Sequence, residues 1–79
     1  MYLLIFDINV KLATCAEVQR FIDALRYIHD DFEVFVDIDN TIHFANIINA
    51  EHLSLIRSLL HGFTNNCNAE IIYWELVPN

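Results

Sequence analysis

The segment Phe32 to Ile47, FEVFVDIDNTIHFANI, decides the fold. Val34, Val36 and Ile38 alternate with Glu33, Phe35, Asp37 and Asp39, the period of two that a half-buried strand requires. Asp39-Asn40 predicts a two-residue turn, because both residue types tolerate positive φ. The return strand is Thr41 to Ile47, with Ile42 and Phe44 on one face and His43, Ala45 and Ile47 on the other. The middle of the chain is therefore an antiparallel hairpin, and the flanking sequence has to cover it.

On the N-terminal side, residues 2–10 (YLLIFDINV) are apolar on both parities at their start, as expected of a central strand. Thr14-Cys15-Ala16-Glu17 has the form of a capping box, and Val18, Phe21, Ile22, Leu25 and Ile28 follow at helical spacing. On the C-terminal side, Asn49 can cap a second helix whose buried stripe is Leu53, Ile56, Leu60 and Phe63, widened by Leu55 and Leu59. Gly62 is placed to stop that helix in a left-handed conformation, with His61 in its last turn and a polar loop over residues 65–68. Residues 69–77 (AEIIYWELV) form the last strand, ended by Pro78. The element order is β-α-β-β-α-β. With right-handed crossovers it predicts a ferredoxin-like α+β fold with strand order 4-1-3-2 and both helices on one face of a four-stranded antiparallel sheet.

The 79 residues suit a single domain, and a chain this short buries only about 60–65% of the surface it exposes when unfolded. Core material is plentiful: 56% of residues are hydrophobic, including six Phe, three Tyr and one Trp, and the mean hydropathy is +0.36. The apolar run Tyr2 to Phe6 is far short of the roughly 18–20 residues of a membrane span, and no basic residue precedes it as in a signal peptide. Cys15 and Cys67 form no C-x-x-C pair and read as reduced thiols, so a cytoplasmic location is expected. In an oxidising compartment their one bridge would tie the first helix to the loop before the last strand.

Eleven acids face four Lys and Arg, a formal charge of −7. Between Arg26 and Arg57 stand Asp30, Asp31, Glu33, Asp37, Asp39 and Glu51 with no Lys or Arg, and none follows Arg57. Nucleic-acid binders draw their affinity from cations that neutralise phosphates, so direct nucleic-acid binding and anionic membrane binding are disfavoured. A basic partner is allowed, and the acids would equally serve to keep so apolar a small chain in solution. With one glycine no phosphate-cradling loop can form. The four histidines, His29, His43, His52 and His61, show no ligand spacing, so neither a metal site nor a cofactor is expected.

If Leu4, Phe6, Ile8, Val34, Val36 and Ile38 face the helices, the open sheet face receives Leu3, Ile5, Asp7, Phe35, Asp37 and either Tyr73 or Trp74. Such a surface predicts association, with a second copy through the sheet face or an edge strand, or with another protein. Asp37 and Asp39 can equally guard the hairpin against unwanted pairing. Asp7, Asp37 and Asp39 would converge if the first strand and hairpin align, the donor set of Mg2+ or Mn2+ phosphoryl chemistry. No Lys or Arg is placed to hold a phosphate beside them, which favours solvated strand-end and turn residues.

The opening MYLLIFDI resembles the first strand of small CRISPR-associated ferredoxin-like proteins and of related virulence-associated and antitoxin endoribonucleases, in which a strand-end aspartate is proposed to bind metal. That resemblance covers about ten residues and implies a role for Asp7 alone; the basic surface of those proteins is missing. In size and acidity the chain is similar to small phage proteins that mimic nucleic acid and inhibit host defence nucleases, such as anti-CRISPR proteins. The leading expectation is a non-catalytic inhibitor that occludes a basic surface. Its acidic contacts would be Asp30, Asp31, Glu33, Asp37 and Asp39, and its anchors Phe35 and Trp74. The alternatives are a metal-dependent endoribonuclease-like subunit using Asp7 and a structural or ligand-sensing homodimer.

Overall fold

The first strand, β1 (Tyr2–Asn9), is the middle of the molecule: Leu4, Phe6 and Ile8 are fully buried, while Leu3, Ile5 and Asp7 keep partial exposure on the other face. The computed structural model describes all residues 1–79. After β1 come α1 (Cys15–Ile28), β2 (Val34–Val36), β3 (Thr41–Ile48), α2 (Ala50–Asn66) and β4 (Glu70–Pro78). The strands form one antiparallel sheet in the order β2-β3-β1-β4. This is the ferredoxin-like α+β fold, with β1 and β3 central as the sequence predicts. No helix is long and apolar enough to cross a membrane.

Both helix starts form as their sequences dictate. The Thr14 hydroxyl accepts from the Glu17 N–H (3.1 Å) while the Glu17 carboxylate accepts from the Thr14 N–H (2.8 Å), a complete capping box. Asn49 Oδ1 accepts from the His52 N–H at 2.7 Å and starts α2. Phe21, Ile22 and Leu25 of α1 and Ile56, Leu60 and Phe63 of α2 are buried against the sheet. Stacked rings knit each layer: Phe21 and Phe63 between the helices at 4.3 Å, Phe6 and Phe44 across the central strands at 4.6 Å. Leu55 does not widen the buried stripe as expected, and lies exposed on the outer side of α2.

Three local expectations are corrected. The hairpin loop has three residues, Ile38 to Asn40, and not the two of Asp39-Asn40. The Asn40 N–H donates to the Asp37 carbonyl (3.2 Å), Asn40 takes φ 56°, and the Asp37 N–H donates to the Thr41 carbonyl (3.0 Å). This is a three-residue hairpin loop that ends on a left-handed residue. The reason is register. A two-residue turn would oppose the inward Val36 to the outward His43, and one extra residue pairs Val34 with Phe44 and Val36 with Ile42. Ile38 is thereby expelled from the inward row and is 98% exposed at the loop, and Val36 is only partly covered at the sheet edge.

The second correction concerns Gly62. It does not stop α2; the helix continues another turn to Asn66, and no glycine has positive φ. Burial of Phe63 on the stripe holds that turn to the core, and the Thr64 hydroxyl donates to the Leu60 carbonyl at 2.9 Å. Third, the loop before β4 is accordingly shorter than residues 65–68. Cys67 ends the helix by donating its N–H to the Phe63 carbonyl at 3.0 Å.

Candidate functional site

The face of the sheet not covered by helices is built in cross-strand rows by the pairing of β1 with its neighbours. One row is apolar throughout: Val77, Leu3 and Ile47. The next places Ile5 and Ala45 between Glu75 on β4 and Glu33, one residue before β2. The third row runs Tyr73, Asp7, His43 and Phe35. A shallow depression lined by Ile5, Asp7, Glu33, Phe35, His43 and Ala45 occupies the β1–β3–β2 side of this face.

The centre of the third row is an ionic triad. His43 Nδ1 lies 2.7 Å from Asp7 Oδ1 and His43 Nε2 lies 2.6 Å from Asp37 Oδ2. Each of the three side chains retains 28–30% of its exposure. A carboxylate only accepts hydrogen bonds, so both ring nitrogens must donate, and only the imidazolium form does so. The Asp37 hydrogen bond, followed by Asp7, raises the His43 pKa from its ordinary value. In return the His43 hydrogen bond, aided by the N–H groups of Thr41 and Asp39, holds the Asp37 carboxyl below the usual range. Asp37 Oδ1 accepts from those N–H groups at 3.0 and 2.9 Å, so the same side chain that grips His43 also closes the hairpin loop.

Around the triad, Phe35 is 61% exposed and stacks on the His43 ring at 4.9 Å. The Tyr73 hydroxyl donates to Glu75 Oε2 at 2.8 Å, and that bond raises the Tyr73 pKa. Trp74 occupies the opposite side of the sheet from Phe35. It stands beside Phe6 at 6.0 Å, half-buried, with the Arg57 guanidinium 5.8 Å from its ring. The two residues expected as anchors therefore do not share a face; Tyr73 takes the position beside Asp7.

The expected acidic contacts divide likewise. Glu33, Asp37 and Asp39 belong to the hairpin; Asp39 is exposed in the loop, and its backbone alone joins the network around Asp37. The Glu33 backbone is fixed by Asn46, whose side chain accepts from its N–H and donates to its carbonyl, both at 3.0 Å. Asp30 and Asp31 lie exposed in the connection after α1. There His29, Asp30 and Asp31 each bring one oxygen or nitrogen within 4.8 Å of the others, and His29 Nδ1 already accepts from the Asp31 N–H at 3.2 Å. Asp7 and Asp37 do converge as the aligned strands predict, but on an imidazolium that occupies an oxygen of each, and Asp39 stays outside. His43 was the residue missed. Its signal was its position in the return strand, which the one-residue register difference brings opposite Phe35 and directly beside Asp37.

Charge is divided between the two layers. The helices carry Glu17, Asp23 and Glu51 against Arg20, Arg26 and Arg57, and are balanced. The entire net charge of −7 thus resides on the strands and connections, where Lys11 is the only Lys or Arg. The open face carries none. Comparisons with protein-family models, curated proteins and solved structures return no match for this chain.

Proposed function

We propose that this chain is a non-catalytic interaction module whose open sheet face docks on a basic, partly apolar surface of another protein, and so occludes a groove that otherwise holds nucleic-acid phosphates. The observation that carries this reading is the division of charge and apolar surface. Leu3, Ile5, Ile47 and Val77 form an accessible apolar strip, bounded by Glu33, Asp7, Asp37 and Glu75, on a face with no Lys or Arg. Desolvation of that strip supplies affinity, and the surrounding carboxylates supply orientation and a steered, salt-dependent approach. Phe35 and Tyr73, the aromatic residues at the two ends of the triad row, are its anchors.

Support also comes from how the face is held. Five backbone and side-chain hydrogen bonds around Glu33, Asp37 and His43 fix the hairpin, so little ordering cost is left for binding. The test is affinity capture from the native host with the immobilised chain, followed by salt titration and competition with a single-stranded oligonucleotide. The reading predicts a partner released by added salt and by the oligonucleotide, and lost when Glu33 and Glu75 are both changed to Lys. Binding that neither salt, oligonucleotide nor Glu33→Lys/Glu75→Lys weakens would contradict it.

A further inference from the structure

We infer that two copies of this chain pair antiparallel through β4, making one continuous eight-stranded sheet from two four-stranded ones and joining their open faces. The two edges of the sheet are not alike. The β2 edge has three residues and is closed off by the Asp37 loop. The β4 edge has nine, bonded to β1 on one side only. Folded proteins blunt free edges with short strands, lysine, proline or bulges. β4 carries no Lys or Arg, and its single proline is the terminal Pro78. Its one irregularity, at Ile71–Ile72, leaves the strand in regular register from Tyr73 onward. Ile71, Ile72, Tyr73 and Val77 are all exposed along it.

The occupant is a second copy because the strand is complementary to itself. A two-fold axis perpendicular to the sheet keeps both helix layers on one side, and it then pairs residues that face the same way. An axis at Glu75 would set two carboxylates directly opposite each other, which is destabilising. An axis at Trp74, the midpoint of β4, opposes Tyr73 to Glu75 of the second copy on the open face and brings Ile72, the residue at the irregularity, alongside Leu76. Each carboxylate then has a phenol beside it in its own strand and another across the interface. The same register doubles the apolar strip and sets each Glu75 opposite a tyrosine rather than another carboxylate. This inference stands independently of the basic-partner reading.

Sedimentation of the full chain over a range of concentrations tests it, read together with the emission of Trp74, the only tryptophan. The expected result is a species of twice the 9.3 kDa chain mass, with an emission change on dilution that follows its dissociation. Ile72→Lys should weaken association at least tenfold while its circular dichroism stays that of the parent chain. Leu55→Lys, on the exposed outer side of α2, should leave association unchanged. Amide exchange of the unmodified chain provides a readout that needs no variant: β4 amides should gain protection as concentration rises, and β2 amides should not. A chain that is monomeric throughout, a dimer that Leu55→Lys abolishes, or β4 amides whose exchange ignores concentration would overturn the proposal.

Discussion

His43 reaches Asp37 at 2.6 Å through Nε2, and this contact ties the loop that closes the hairpin to the strand that leaves it. Through Nδ1 the same ring holds Asp7 on β1 at 2.7 Å. Three segments of the sheet are thus joined at one side chain, on the face the helices do not cover. The triad bears one net negative charge when the ring is protonated and two when it is not, so it couples the stability of the sheet to the charge of its open face.

The first consequence is a pH profile. The His43 pKa is raised above its ordinary 6.5, so its contribution is complete below that value and is lost as pH rises through the elevated one. The Asp37 pKa is lowered below its ordinary 3.8, so its contribution is complete above that value and is lost as pH falls through the depressed one. Thermal melts should therefore show the triad's support at its fullest between about pH 4 and 6.5, declining on the alkaline side. In His43→Gln that alkaline decline should disappear; a profile unchanged by the substitution would remove the imidazolium from the account.

Gly62 gives a second test. It sits inside α2 with no positive φ, and a Cβ there would meet only the Asn66 amide nitrogen at 4.0 Å. Gly62→Ala should stabilise the chain by about 0.5–1 kcal/mol through the entropy of the unfolded state. A denaturant titration would measure it as a higher midpoint with the same slope. Destabilisation would mean that α2 ends at Gly62 after all.

The core and the helix surface should respond in opposite ways. Leu25 is fully buried between α1 and the sheet, and Leu25→Ala should cost about 2–5 kcal/mol, comparable to the whole stability of a domain this small. Leu55→Ala, on a side chain nearly half exposed, should change stability by about 0.5 kcal/mol or less. Thr14→Ala removes half of the capping box and should cost about 1 kcal/mol. Comparable losses for Leu25 and Leu55 would put the helices on the wrong faces.

Much of this structure could be read from sequence because the signals were local and periodic. Thr14, Glu17 and Asn49 declare helix starts within four residues, and the alternation of Leu4, Phe6 and Ile8 states which face of β1 is buried. The hairpin loop was harder. Asp39-Asn40 and a three-residue turn fit the local chemistry equally, and only the pairing of Val36 with Ile42 chooses between them. Gly62 misled for a related reason: a glycine near a helix end has two uses, and burial of Phe63 one residue later decides which applies. Of the triad, the approach of Asp7 to Asp37 was legible in the sequence, and the place of His43 between them was not. Asp7, Asp37 and His43 are brought together by register, and a shift of one residue would turn His43 away from Asp37. Trp74 and Tyr73 could not be assigned to faces until the pairing of Phe6 with Trp74 fixed them.

The central claim, that the open sheet face recognises basic groups, is tested most directly by titrating the 15N-labelled chain with nona-arginine and following every amide by NMR at low salt. Saturable shifts are expected on Leu3 to Asp7, Glu33 to His43 and Tyr73 to Val77, diminished by salt, with α1 and α2 nearly silent. Shifts centred on α1 or α2, or scattered without saturation over the whole chain, would contradict it.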